Sequence, residues 1–254
     1  AVQYSMKYIF GFAAALCLIC SVLISVANVG LRDRQEINKQ LDKKKSVLQA
    51  ACLIQAGEKT NRARIESLFE NIRARVIDLS AGRVLDDVDS ARFNEEDIPE
   101  QPAPANKAGI RTLRNQMLIY EVMDGDRISM FVLPIVGKGL WSTMYGFLAL
   151  DADTKTIRGL TYYDQGETPG LGGEVTNPKW TALWPGRVAY DENWHPAITV
   201  VKGSAGSVEE APHEVDGLSG ATITSRSVME MLRFWLGDDG FGPFLKQYRE
   251  SGQA

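Results

Sequence analysis

The sequence predicts an α+β protein, with a single N-terminal transmembrane helix followed by a soluble domain in which helices pack on an antiparallel sheet. Three observations carry that expectation. An uncharged run from Tyr8 to Leu31, roughly two dozen residues, is long enough to cross a hydrocarbon core of about 30 Å as a helix. Apolar, β-rich runs at Met117 to Met123, Ile128 to Val136, Leu140 to Leu150 and Thr156 to Tyr163 follow one another across short turn signals, the pattern of a meander. Towards the C-terminus Val228, Met231, Leu232 and Trp235 recur at i, i+3, i+4 and i+7, the period of a helix with one apolar face.

The bulk properties agree. A chain of 254 residues with 44% hydrophobic content accommodates one sizeable domain plus an appendage. A net charge of −4 gives no case for nucleic-acid binding. The sequence shows no repeat of fixed period, which removes solenoids and propellers.

In chain order, the apolar run is expected to stay as an uncleaved anchor. A secretory signal has a shorter apolar region and a small-residue cleavage site, and Val26-Ala27-Asn28 only poorly approaches one. Cys17 and Cys20 fall inside this run and are expected to pack as small apolar residues. Lys7 precedes the run, whereas Arg32, Arg34, Lys39 and Lys43 to Lys45 follow it, a bias that by itself places the following domain in the cytoplasm. Cys52 is the only cysteine beyond the run, so no disulfide can form within the soluble domain. Ile37, Leu41 and Leu48 continue at helical spacings as an amphipathic stalk, with Gly57 as its expected end. A second helix is expected through Ile65, Leu68, Phe69 and Ile72, then a strand from Val76 to Leu79. Asp86 to Ala108 carries acids with Pro99, Pro102 and Pro104 and reads as an exposed loop. Asp124-Gly125-Asp126 signals a hairpin turn, Asp151 to Thr154 another, and Ala197 to Val201 a further strand. The expected divisions are 1–31 for the anchor, 32–85 for the stalk and domain start, 86–110 for the loop and 111–254 for the core.

Two stretches carry chemistry. The first, Val215 to Ser225, places Thr222 just ahead of the C-terminal helix. Ser227 and Glu230 have the spacing of a capping box there, with Thr224 or Ser225 as alternative caps. A helix N-terminus favours a phosphate, and Gly217 and Gly220 let backbone approach a bulky anion. The same residues also read as a small-residue turn feeding a helix. The second, Gln165 to Glu174, has four glycines but neither the ending of a P-loop nor a dinucleotide fingerprint. It reads locally as a surface loop needing positive φ. Other chemistry is poorly supported. His195 and His213 are isolated and expected to be exposed loop residues. Ser219 in Gly-Leu-Ser-Gly-Ala fails the spacing of a nucleophile elbow, and outside the apolar run no Cys/His cluster has metal-ligand spacing. No catalytic residue and no metal ligand is assigned.

Asp216-Gly-Leu-Ser-Gly-Ala-Thr222 resembles the flavinylation motif of FMN-binding domains, and Glu167-Thr168-Pro169-Gly170-Leu171-Gly172 resembles the loop that closes over the flavin in them. With the apolar run, Gly139-Leu-Trp-Ser-Thr-Met-Tyr145 and Gly240-Phe-Gly-Pro-Phe-Leu245, nearly the whole chain resembles the C subunit of the sodium-translocating NADH:quinone reductases. The alternative is the G subunit of Rnf-type electron transport complexes, which shares the anchor and the motif; the collinear run of blocks favours the reductase subunit.

This resemblance implies FMN carried covalently through a phosphoester to Thr222, with Asp216, Ser219, Gly220 and Ala221 completing the motif. Thr224 is the hydroxyl most easily confused with the acceptor. Asp216 serves either recognition by a maturing enzyme or an Asx-turn before Gly217. Thr168 and the glycine backbones of the 167–172 loop would reach the ring edge, under cover of Pro169 and Leu171. Trp141 and Tyr145 could neighbour the ring, but ordinary core packing is the expected role of each. The resemblance further implies an electron carrier in a bacterial inner-membrane complex. Its partners would be the other subunits, a flavin transferase using FAD and a metal ion, and the lipid bilayer. It places the domain on the periplasmic side, against the charge bias. A reading of another class remains: a membrane-anchored module that holds a phosphorylated ligand noncovalently.

Overall fold

A computed structural model describes residues 5–55 and 58–252. They divide into two compact units, Ala1–Asp42 and Lys43–Ala254. The first helix, α1 (Met6–Ala50), runs unbroken through both ranges. Within it Met6–Arg32 is long and apolar enough to cross a membrane, with an 18-residue stretch of mean hydropathy 2.6. The expected anchor and stalk are thus one helix.

The expected stop at Gly57 lies outside the described residues, and α1 closes earlier. Cys52 adopts φ +55°, its N–H donates to the Gln49 carbonyl at 3.0 Å, and the Leu53 N–H reaches back to Leu48 at 2.9 Å. Those two bonds form a Schellman closure, with cysteine where glycine is usual.

In the second unit α2 (Arg62–Phe69) is capped by Asn61, whose side chain accepts the Arg64 N–H at 2.9 Å. Ile72, expected on this helix, instead opens β1 (Ile72–Asp78), which continues into β2 (Arg83–Val84). The expected loop contains a single 3-10 turn at Glu95–Asp97 and β3 (Gln101–Pro102), which pairs with β4 (Thr112–Leu113). Then come β5 (Gln116–Asp124), β6 (Arg127–Lys138), β7 (Thr143–Asp151) and β8 (Ile157–Asp164). Gly125, at φ +60°, turns β5 into β6 as the sequence signals.

The main sheet has the order β2-β1-β5-β6-β7-β8, with every neighbouring pair antiparallel. β5 and β6 stop pairing beyond Tyr120 and Val132, while β6 stays paired to β7 as far as Lys138 and Thr143. Pro134 falls in that stretch, where its missing N–H costs no ladder bond to β5. The Val136 carbonyl accepts a hydrogen bond from the Trp235 indole at 2.7 Å.

The short α3 (Pro178–Thr181) leads to β9 (Thr199–Val201) and β10 (Glu214–Asp216). These two pair in parallel, apart from the main sheet. The strand expected at Ala197 to Val201 is therefore shorter than its apolar run. The last helices are α4 (Thr222–Leu236) and α5 (Gly242–Glu250).

Side chains alternate along the strands, so the sheet buries two faces. Ile77, Ile119, Phe131 and Leu148 share a core with Val228, Met231, Leu232 and Trp235 of α4 and with Phe244 and Leu245 of α5. Their neighbours Val76, Tyr120, Val132 and Phe147 are also buried. Tyr120 meets Phe69 of α2 edge-on at 5.8 Å, and the Ala50 carbonyl lies against Gly159 of β8. Strand β10 ends at Asp216, so the loop leading into α4 lies at the rim of the first core.

Candidate functional site

α4 begins at Thr222, with Ala221 as its N-cap and no side-chain cap. This corrects the expected caps: Ser227 and Glu230 lie inside the helix, and Thr224 and Ser225 belong to its first turn. The Ser225 hydroxyl instead accepts the Leu218 N–H at 2.9 Å and folds the loop onto the helix. Gly220 takes φ +71°, which favours glycine. Among the described residues no acceptor meets the N–H groups of Thr222, Ile223 and Thr224, so the helix presents unpaired donors and its positive dipole end.

The two threonines of the motif differ sharply. Thr222 is exposed, and its hydroxyl has no hydrogen-bond partner among the described residues. Thr224 is 1% exposed, and its hydroxyl donates to Glu167 Oε2 at 2.7 Å.

Next to Thr222 opens a cleft of about 680 Å³, between the 200–203 segment, in which β9 ends, and the first turns of α4. Lys202, Ser219, Thr222, Arg226 and Met229 line it. Lys202 and Arg226 are exposed, and neither forms an ion pair among the described residues. Sequence reasoning missed both. Arg226 follows Thr222 by one helical turn and shares its face, which was a readable signal. Lys202 had none, because the parallel pairing of Val201 with Asp216 brings it there.

Asp216 lines the same cleft. Its Oδ1 accepts the Ala205 N–H at 2.8 Å and its Oδ2 the Ser204 hydroxyl at 3.3 Å, while its carbonyl accepts the Trp180 indole N–H at 2.8 Å. The carboxylate therefore ties down the 204–205 loop and forms no Asx-turn with Gly217.

On the other side of Gly220 stands the 167–172 loop. A Cβ on Gly220 would lie 2.9 Å from Leu171 Cδ2. Thr168, Pro169, Gly170 and Leu171 are exposed, whereas Glu167 and Gly172 are buried. The Glu167 carboxylate points inward. Oε1 accepts the N–H groups of Trp141 at 2.9 Å and Ser142 at 3.2 Å, and Oε2 accepts that of Leu140 at 3.2 Å besides the Thr224 hydroxyl. Burial by itself would raise this carboxyl, but hydrogen bonds from the Trp141 N–H, the Thr224 hydroxyl and the Ser142 and Leu140 N–H groups outweigh it and hold the pKa below its usual value.

The tight turn at 139–142, closed by the Gly139 N–H on the Ser142 carbonyl at 2.8 Å, takes the place of the first residues of the strand expected from Leu140. It leaves the Trp141 side chain 67% exposed, and Tyr145 is exposed as well. Core packing is thereby ruled out for both. His195 is exposed as expected, whereas His213 is half-buried with Nδ1 2.8 Å from the Val188 carbonyl.

These residues suit FMN. Unpaired N–H groups, Lys202 and Arg226 favour a phosphate at Thr222. Trp141, Leu171 and Ile223 are exposed apolar side chains of the kind that cover a ring system, and the cleft volume lies within the range of cofactor sites.

The arrangement is that of an FMN-binding domain, and the FMN-binding domain family matches residues 139–237. That span runs from the Gly139 turn to the Gly237 C-cap of α4 and includes the whole site. The C subunit of the Na(+)-translocating NADH-quinone reductase of Vibrio vulnificus (strain YJ016) is 44% identical over 98% of this chain and 97% of its own. The protein of the same name from Yersinia pestis is 46% identical over 92% and 90%. The crystal structure of Shewanella oneidensis NqrC superposes with a TM-score of 0.75 at 33% identity, covering 84% of this chain and 99% of that one. The chain belongs to the family of C subunits of the Na+-translocating NADH-quinone reductases. Its N-terminal apolar helix fits a single-pass membrane anchor in such a complex.

Proposed function

We propose that this chain carries FMN covalently, as a phosphoester of Thr222, and relays electrons within a Na+-translocating NADH-quinone reductase. One observation carries the reading. Of the two threonine hydroxyls in the motif, that of Thr222 is open beside unpaired N–H groups and two cations, while that of Thr224 is buried on a carboxylate.

In this reading Thr222 is an anchor, and Ser219, Gly220 and Ala221 shape the turn that presents it. Arg226, Lys202 and the first-turn N–H groups neutralise the phosphate. Leu171, Pro169 and Trp141 cover the ring, and Thr168 and the Gly170 backbone offer polar contacts at its edge. Bound FMN supplies the redox chemistry that these side chains lack, and the protein contributes placement and electrostatics. Among the described residues no carboxylate or histidine bonds to the Thr222 hydroxyl, so the reading assigns attachment to a separate flavin transferase acting on FAD with a metal ion. Asp216, engaged with the 204–205 loop, fixes the motif's conformation for that enzyme. The other subunits of the complex supply the electron donor and acceptor. The domain would stand on the periplasmic side of the inner membrane, anchored in lipid by the first part of α1.

The test is direct. The chain produced together with a flavin transferase is denatured, washed free of small molecules and examined for flavin fluorescence. Retained fluorescence supports covalent attachment; fluorescence lost on denaturation supports the noncovalent module.

A further inference from the structure

Glu167 and Thr224 lie 57 residues apart in the chain, yet their side chains meet at 2.7 Å. Through its other bonds, Glu167 reaches the backbone of Leu140, Trp141 and Ser142. One buried carboxylate thus joins three segments: the turn that carries Trp141, the loop that carries Leu171 and the first turn of α4. The surroundings are shaped to it. A Cβ on Gly139 would lie 2.5 Å from Oε1, and one on Gly172 would lie 2.8 Å from Oε2 and 2.6 Å from the Thr224 oxygen.

The geometry points to Glu167 and Thr224 as positioning residues that fix the walls of the flavin site relative to its anchor. This rests on the reading that FMN is tethered at Thr222. A phosphate tether leaves several bonds free to rotate, so the place of the ring depends on the groups around it. Trp141 and Leu171 are both exposed, and the backbone beneath Trp141 is fastened by Glu167. Thr224 stands two residues beyond Thr222 on the same helix turn, so its bond to Glu167 sets where that wall lies relative to the tether. The second threonine of the motif is then a latch and no spare attachment point.

The experiment uses the full chain in detergent, as apo protein and after flavinylation, with Glu167→Gln, Thr224→Val and Thr224→Ser beside the parent. In the apo protein, amide hydrogen exchange at residues 140–142 reads the knot itself. Glu167→Gln removes one charge and one of the two accepting oxygens, and exchange there is expected to accelerate about tenfold or more, the scale of lost hydrogen bonds to a charged acceptor. In the flavinylated protein, Glu167→Gln and Thr224→Val are expected to shift the visible spectrum and midpoint potential of the flavin. Thr224→Ser, which keeps the hydroxyl, should restore both.

Unchanged exchange at 140–142 in Glu167→Gln would overturn the knot. Accelerated exchange with an unchanged spectrum and potential would overturn the link to the flavin. Should Glu167→Gln lose protection throughout the sheet, Thr224→Val makes the same comparison with the carboxylate in place. A parent chain that takes up no covalent flavin from the transferase would remove the function reading and the flavin link with it, while the apo exchange data still decide whether the knot exists.

Discussion

A carboxylate that is 5% exposed and accepts four hydrogen bonds is held in its charged form. Because the folded-state pKa of Glu167 lies below its usual value, its contribution to stability is complete above the unfolded value of about 4.3 and is lost as pH falls through the folded value. The stability advantage of the parent over Glu167→Gln should therefore shrink as pH is lowered from neutrality to below about 4. Thermal unfolding of the two proteins across that range checks this, and parallel curves would contradict it. Gly172→Ala puts a methyl group between Glu167 and Thr224 and should destabilise the domain by about 1–3 kcal/mol, as overpacking does, in a denaturant titration. The loop that presents the exposed Thr222 was legible, because Asp216 to Thr222 reads as a contiguous motif. The partner of Glu167 was not, since a contact across 57 residues exists only once the sheet has brought the two loops together.

At the scale of elements, the end of α1 is part of the domain core. Val47 and Leu48 are fully buried, and Ala50 packs its carbonyl where a Cβ on Gly159 would come within 2.3 Å. Leu48→Ala should cost about 2–5 kcal/mol, the range for buried leucines, and Gly159→Ala should lower the melting temperature of the domain by displacing α1 from β8. Calorimetry of the two variants measures both, and a parent-like transition in each would mean that this end of the helix does not contribute. The sequence disclosed the four long strands well, because apolar runs broken by Asp-Gly-Asp and Asp-Ala-Asp-Thr have one simple solution in a meander. Element ends were harder to read. Ser227 and Glu230 have capping-box spacing, but that spacing also occurs within helices, and here the start is set by the 216–221 loop closing through Ser225. The end of α1 depends on Cys52 in a left-handed conformation, which a cysteine does not advertise.

For the whole molecule, the basic residues after the apolar run and the proposed periplasmic placement point to opposite sides of the membrane. Long domains translocate despite such charges, so protease added to intact spheroplasts is expected to digest the domain beyond the anchor, and full protection would place it in the cytoplasm. The central claim concerns one oxygen atom. Peptide mass mapping of the flavinylated chain is expected to find FMN on the peptide containing Thr222, to find none in Thr222→Val, and to find it retained in Thr224→Ser. A flavin-bearing peptide that persists in Thr222→Val would contradict the account.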